Sequence, residues 1–353
     1  MPLIKLTMTK TYFSTFITGF SDIVGEALKK RLPDAEIKLI TDGLVFYGTH
    51  QSPEIIKQIR FFTNSFIALK YFPTLNKKSV DEMVRLTLGD KDIIPQIHTS
   101  IPKQRTTFRI MATQENQFVG IERNLKERLE SKIAQNKNLV IDRALPDIEF
   151  LFTLRREGFG LFGQRLTRHT SYDKILEKGE LYPELAHILC LLSEPTVQDR
   201  FLDPFCGWGS IPVARAAGFP YTTVYAADID NKLIERTRLK AKEVKKQVIA
   251  NKADALDLQA FADKSIDKIV TDPPWGLHDK ELHLEKFYRD MLREFERIIK
   301  PNGLIIILTS QKDLFEKILG GVESQLKLIK KYDTLVSGQK AAAYKIHPQS
   351  AGS

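Results

Sequence analysis

The chain has 353 residues, of which 42% are apolar and 27% charged, ordinary proportions for a globular protein with a large core and about two or three domains. No stretch approaches the roughly 20 uninterrupted apolar residues of a membrane span, and Met1-Pro2-Leu3-Ile4-Lys5 lacks a signal-peptide pattern. The two cysteines, Cys190 and Cys206, suit neither a disulfide framework nor zinc spacing, so no membrane, no metal and a cytoplasmic setting are expected.

The net charge of +9 is uneven. Residues 1–170 hold 26 Lys+Arg against 18 Asp+Glu, whereas residues 171–353 hold 27 against 26. A basic front half before a near-neutral back half suits a polyanion-binding module joined to an enzyme, although a soluble basic surface gives the same balance.

In chain order, Thr11 to Ile17 predicts a strand, Asp22 to Leu32 a helix on Ile23, Val24, Ala27 and Leu28, and Leu44 to Tyr47 a strand after Asp42-Gly43. Pro53 opens another helical stretch and Ser65 to Tyr71 a further strand. This predicts an α+β domain over residues 1–75, with Asn76-Lys77-Lys78 at its edge. A second α+β unit over 76–160 has a strand at Thr107 to Ala112, a basic amphipathic helix at Val119 to Asn136, a short strand at Leu139 to Asp142, then Pro146-Asp147 and the apolar run Ile148 to Leu154. A connector from Gly158 to about Gly179, the linker 161–180 within it, carries Arg165, Arg168 and His169, which fit phosphate contact or a solvated face equally well.

From residue 181 to 353 strand and helix alternate, the pattern of a parallel sheet with helices on both faces. A helix at Pro183 to Leu192 precedes strands at Arg200–Leu202, Thr223–Ala227, Val248–Ala250, Ile266–Thr271 and Leu304–Leu308. Leu326 to Asp333 and Ala341 to His347 close the sheet as a hairpin around Ser337-Gly338, which makes a doubly wound, seven-stranded α/β domain. Ligands of such sheets bind beyond the carboxyl ends of the strands, at the switch point.

The first strand of this series runs into Asp203-Pro204-Phe205-Cys206-Gly207-Trp208-Gly209-Ser210. Glycines 207 and 209 allow close backbone approach to a ligand, Ser210 is the expected N-cap, Pro212 falls in the first helical turn and Gly218 ends the helix. The second strand ends in Asp228-Ile229-Asp230, where Asp228 is suited to take two ribose hydroxyls and Asp230 to cap the next helix. The third ends at Ala253-Asp254-Ala255, where Asp254 could accept from an adenine amine or close an ordinary turn. Acids on three successive strand ends fit an adenosine with a free ribose, and no phosphate-cradling loop of the nucleoside triphosphate type is present.

The fourth strand runs into Asp272-Pro273-Pro274-Trp275-Gly276. A carboxylate and the carbonyl of Pro273, aimed by a rigid Pro-Pro bend, can accept the two protons of an exocyclic base amine, and Trp275 offers a stacking face. Asp-Pro-Pro is also good turn chemistry anywhere. Cys206 reads as a small buried residue, and His278 and His283 with Asp279 and Glu281 as solvated.

These two runs resemble motifs I and IV of class I S-adenosylmethionine-dependent amino-methyltransferases, which have a Rossmann-like catalytic domain. Residues 1 to about 160 resemble the ferredoxin-like plus THUMP module of RNA guanine-N2 methyltransferases, above all at Leu139 to Leu154. Gly163-Gln164-Arg165-Leu166 and Leu181-Tyr182-Pro183-Glu184-Leu185-Ala186 resemble the segment before motif I. The resemblance implies a monomeric enzyme forming N2-methylguanosine in tRNA. Asp203, Pro204, Phe205, Cys206, Gly207, Gly209, Asp228, Ile229, Asp230, Asp254, Ala255 and Asp272 would line the S-adenosylmethionine site, and Asp272, Pro273, Pro274 and Trp275 would be catalytic. Trp208 and Trp275 depart from the residues commoner there. Adenine-N6 methylation, ribosomal RNA as the substrate, and an inactive RNA-binding module are the alternatives.

Overall fold

The computed structural model describes residues 9–97, 106–137, 139–167, 176–276, 283–321 and 325–349. Arg168, His169, His278, Asp279 and Glu281 lie outside the described residues. The chain divides into two compact units, Met1–Thr15 with Lys29–Ile59 and Asn64–Thr170, and Phe16–Leu28 with Arg60–Thr63 and Ser171–Ser353.

In chain order the elements up to residue 165 are β1 (Lys10–Thr15), α1 (Ser21–Arg31), β2 (Glu36–Thr41), β3 (Leu44–Thr49), α2 (Pro53–Ile56), β4 (Asn64–Phe72), α3 (Val80–Gly89), β5 (Thr106–Gln114), β6 (Gln117–Phe118), α4 (Arg123–Lys137), β7 (Leu139–Ile141), β8 (Ile148–Leu154) and β9 (Gly160–Arg165). The strands form one nine-stranded sheet in the order β2-β3-β1-β4-β9-β8-β5-β6, with β7 paired to β5. Four of these elements, β2, α3, β6 and β9, are absent from the sequence reading. β2 is a half-buried alternation, Glu36 to Thr41. α3 follows Ser79, whose hydroxyl accepts from the Glu82 N–H at 3.2 Å, a capping arrangement spelled by Ser79-x-x-Glu82.

Gly160–Arg165 is a strand between β4 and β8, not a connector. Its glycines mark close packing: a Cβ at Gly163 would lie 2.3 Å from the Phe13 ring, and one at Gly160 would lie 2.6 Å from Met83 Cε. Nor is Arg165 a solvated phosphate contact. It is buried and donates to Glu149 Oε2 at 2.7 Å, while Arg109 donates to the other oxygen at 2.6 Å. A buried guanidinium requires such a partner.

The second unit carries α5 (Pro183–Leu192), β10 (Arg200–Asp203), α6 (Ser210–Gly218), β11 (Thr223–Asp228), α7 (Asn231–Glu243), β12 (Ile249–Lys252), β13 (Ile266–Thr271), α8 (Leu284–Ile298), β14 (Ile299–Thr309), α9 (Lys312–Leu319), β15 (Leu326–Val336) and β16 (Gln339–Pro348). Its sheet has seven strands in the order β12-β11-β10-β13-β14-β16-β15. β10 to β14 run parallel, and β16 is antiparallel to both β14 and β15. Ser337 and Gly338, at φ of 49° and 83°, make the hairpin turn. Ile269, Ile305 and Ile307 bury one sheet face against Met291 and Phe295 of α8 and Phe315 of α9. The detached segments are packed into this unit by aromatic contacts: Phe20 stacks on Tyr332 with centroids 5.7 Å apart, and Phe61 lies 6.2 Å from His187.

Candidate active site

β10 and β13 are neighbours, yet the chain leaves β10 toward β11 and leaves β13 toward β14. Their carboxyl ends therefore flank the crevice where ligands of doubly wound sheets bind. β10 ends in Asp203, which is 1% exposed. Thr271, the last residue of β13, donates its hydroxyl to Asp203 Oδ1 at 2.7 Å, and the Phe205 N–H donates to the same oxygen at 3.2 Å. Asp203 Oδ2 is buried without a hydrogen-bond partner among the described residues. Burial, with Asp228 and Asp272 adding like charge, pushes this carboxyl up to about 8.

The loop after Asp203 is folded back on β11. The Cys206 N–H donates to the Ala227 carbonyl and the Gly207 N–H to Asp228 Oδ2, both at 2.9 Å. Asp228 Oδ1 accepts from the Asp230 N–H at 2.9 Å. The Asp228 carboxylate is half-buried and keeps acceptor capacity beyond these two bonds. Pro204 is buried, and Phe205 is partly exposed with its ring 5.7 Å from Phe287. The N-cap of α6 is Gly209, not Ser210. It holds φ at +81°, and a Cβ there would fall 2.7 Å from Thr237 Oγ1, so only glycine starts the helix at this point. The Trp208 indole donates to the Lys178 carbonyl at 3.1 Å. Cys206 is buried, which pushes its thiol well above the usual range and leaves it unsuited to nucleophilic work.

At the next strand ends, Ile229 is 67% exposed and Asp230 caps α7 by accepting from the Lys232 N–H at 2.8 Å. Asp254 is exposed and accepts from the Leu256 N–H at 2.9 Å, with Ala255 buried beneath it. The structure thus brings Asp203, the 204–209 loop and Asp228 into direct contact. Asp254 is tied only to its own turn.

Beyond β13, the Trp275 indole N–H donates to Asp272 Oδ1 at 2.8 Å. Burial pushes the Asp272 carboxyl up to about 7, against the lowering effect of that hydrogen bond. Pro273 is buried and Pro274 exposed. The loop is held from behind by residues that motif reading missed. Tyr288 Oη donates to the Pro274 carbonyl at 3.1 Å and lies 2.8 Å from Thr309 Oγ1, and Gln311 Nε2 donates to the Trp275 carbonyl at 2.6 Å. Thr309 ends β14, so the rule that strand ends line the crevice pointed to it.

Among the described residues, none of Asp203, Asp228 and Asp272 is ion-paired, and no group of three or more His, Cys, Asp or Glu could hold a metal. An acid with an orphaned buried oxygen beside two further acids, none ion-paired, is an electrostatic fit for an organic cation, whose charge would favour their ionised forms.

Residues 171–334 match the family model described as UPF0020: RMKL-like, methyltransferase domain. The chain is 28% identical over 218 residues to a tRNA (guanine(6)-N2)-methyltransferase of Thermus thermophilus, covering 60% of this chain and 65% of that protein. It is 36% identical over 132 residues to a tRNA (guanine(10)-N2)-dimethyltransferase of Methanothermobacter thermautotrophicus, covering 36% of this chain and 38% of that protein. The match therefore spans less than two-thirds of either relative. The crystal structure of TrmN from Thermus thermophilus superposes with a TM-score of 0.78 at 22% identity, covering 96% of this chain and 99% of that one. The second unit thus has a Rossmann-like fold, and its residues 171–334 are similar to a methyltransferase domain.

Proposed function

We propose that the chain transfers a methyl group from S-adenosylmethionine to the exocyclic N2 amine of a guanosine in tRNA, forming N2-methylguanosine. The observation that carries this reading is the trio of unpaired carboxylates, Asp203, Asp228 and Asp272, at the switch point of a methyltransferase domain. The names of the tRNA guanine-N2 methyltransferases among its relatives support the choice of base and nucleic acid.

Asp203, Pro204, Phe205, Cys206, Gly207 and Gly209 would cradle the cofactor, Asp228, Ile229 and Asp230 its ribose, and Asp254 and Ala255 its adenine. Bound there, S-adenosylmethionine supplies an electrophilic methyl on a sulfonium. Asp272 Oδ2 and the Pro273 carbonyl accept the two amine protons, turning the nitrogen lone pair out of conjugation with the ring. Trp275 gives the unstacked base a face, worth roughly 1–3 kcal/mol. Asp272, poised near 7, is suited to take the proton released from the methylated nitrogen. Most of the rate gain comes from holding the amine in attack geometry. Residues 1–75 as a ferredoxin-like domain and 76–160 as a THUMP domain would hold the tRNA for the catalytic residues 181–353, and the protein would act as a cytoplasmic monomer.

The test is incorporation of labelled methyl from S-adenosylmethionine into unmodified tRNA transcripts, followed by nucleoside analysis. N2-methylguanosine is the expected product. N6-methyladenosine would overturn the base assignment, and no incorporation despite tight cofactor binding would overturn the reaction. In the same assay Asp272→Ala should bind cofactor and lose turnover.

A further inference from the structure

The Asp272–Trp275 loop has six acceptor atoms: two carboxylate oxygens and the backbone carbonyls of Asp272, Pro273, Pro274 and Trp275. Three are occupied. Asp272 Oδ1 holds the Trp275 indole, the Pro274 carbonyl holds Tyr288 Oη, and the Trp275 carbonyl holds Gln311 Nε2. Asp272 Oδ2 and the Pro273 carbonyl have no partner among the described residues.

The donors that occupy the two carbonyls are connected. Tyr288 has one hydroxyl proton and spends it on Pro274, so the 2.8 Å contact with Thr309 requires Thr309 Oγ1 to donate to Tyr288 Oη. Thr309 Oγ1 in turn accepts from the Gln311 N–H at 3.1 Å. The result is an unbroken relay, Gln311 N–H to Thr309 to Tyr288 to the Pro274 carbonyl, and Gln311 reaches forward again with its side chain to the next carbonyl. Tyr288 and Thr309 are both fully buried. Such a relay is rigid because each bond fixes the proton direction of the next.

We propose that Tyr288, Thr309 and Gln311 are positioning residues that occupy the Pro274 and Trp275 carbonyls and so hold the loop with Asp272 Oδ2 and the Pro273 carbonyl open as acceptors for a substrate amine. The proposal deepens the methyl-transfer reading and rests on it for its catalytic consequence. An NH2 group brings two donors to these two acceptors, whereas a hydroxyl brings one.

The test uses the full chain carrying Thr309→Val, which keeps the side-chain shape and removes the relay's hydroxyl, and Thr309→Ser, which restores it. The chain has two tryptophans, Trp208 and Trp275, so a Trp208→Phe background leaves Trp275 as the sole indole reporter of loop order. Thr309→Val should raise acrylamide quenching of Trp275 and lower kcat for tRNA about tenfold at unchanged affinity for S-adenosylhomocysteine. Thr309→Ser should restore both. Gln311→Met, which removes only the forward bond to Trp275, should shift the same two readouts if Thr309→Val does not fold. Unaltered quenching, or loosened quenching with wild-type kcat, would overturn the positioning role. Loosened quenching in a protein whose parent methylates no RNA would overturn the methyl-transfer reading and leave the relay standing.

Discussion

Thr271 donates its hydroxyl to Asp203 at 2.7 Å, tying the carboxyl end of β13 to that of β10 across the crevice. This bond joins the two strand ends from which the loops of the proposed chemistry leave, and with the Phe205 N–H it satisfies Asp203 Oδ1.

Thr271→Val should therefore destabilise the protein by about 1 kcal/mol, the net worth of one buried hydrogen bond, since Asp203 Oδ1 still accepts from the Phe205 N–H, with Thr271→Ser close to wild type. Urea denaturation at pH 7 checks this. The sign with pH follows from Asp203 itself. Its carboxyl is raised to about 8 in the fold, so its contribution is full below its unfolded value near 4 and is lost as pH rises through 8. Asp203→Asn should gain on wild type between pH 5 and pH 9, and a pH-independent difference would contradict the assignment.

Gly209→Ala should weaken cofactor binding. A methyl at φ of +81° is strained, and it would meet Thr237 Oγ1 at 2.7 Å and the Thr237 backbone at 3.0 Å. Either the loop or α7 must shift. Calorimetric titration with S-adenosylhomocysteine should show at least about a tenfold loss, since a displacement of 1 Å is enough for that. Gly207→Ala, where a Cβ meets nothing within 4 Å although φ is +48°, should lose less.

Trp275→Phe keeps a stacking ring and deletes the indole N–H that holds Asp272 Oδ1. That hydrogen bond favours the ionised carboxylate, so its loss should raise the Asp272 carboxyl above its value of about 7. An ionised Asp272 is needed to accept the amine proton. The acid limb of the kcat profile should consequently move to higher pH, with activity at pH 7 falling more than activity at pH 9. A profile measured from pH 6 to 9.5 decides it; a uniform drop across that range would assign Trp275 to stacking alone.

The seven-stranded α/β domain was legible because its strands are nearly continuous apolar runs ending in acids or glycine-rich turns. Those ends alone spell out Asp203, Asp228 and Asp272. The residues behind the site carry no such local mark. Tyr288 reads as one more apolar position of an amphipathic helix, and only the fold brings its hydroxyl to the Pro274 carbonyl. Gly160 and Gly163 read as a flexible connector for the opposite reason: their smallness answers to Met83 and Phe13, more than 70 residues away. The assignment of Phe16–Leu28 and Arg60–Thr63 to the second unit was equally hidden, because it depends on partners such as Tyr332 and His187 that local periodicity does not report.

His187 gives a prediction independent of catalysis. Its ring is stacked on Phe219 at 4.5 Å and packed so closely against Gly218 that a Cβ there would lie 2.6 Å from the ring, and Nδ1 is buried without a hydrogen-bond partner among the described residues. Burial first, and then the positive charge of Arg60, lower its pKa to about 4. Above the unfolded value near 6.5 the ring is neutral in both states and contributes no slope. Between 6.5 and 4 the unfolded chain takes up a proton that the native state refuses, so stability falls with falling pH by about 3 kcal/mol in total. Below 4 both states are protonated and the loss is complete. His187→Leu removes the titration and should lose less stability than wild type between pH 7 and pH 4.5. Urea midpoints for the two proteins at pH 7, 5.5 and 4.5 measure the difference directly, and parallel curves would mean that the ring is charged in the native state.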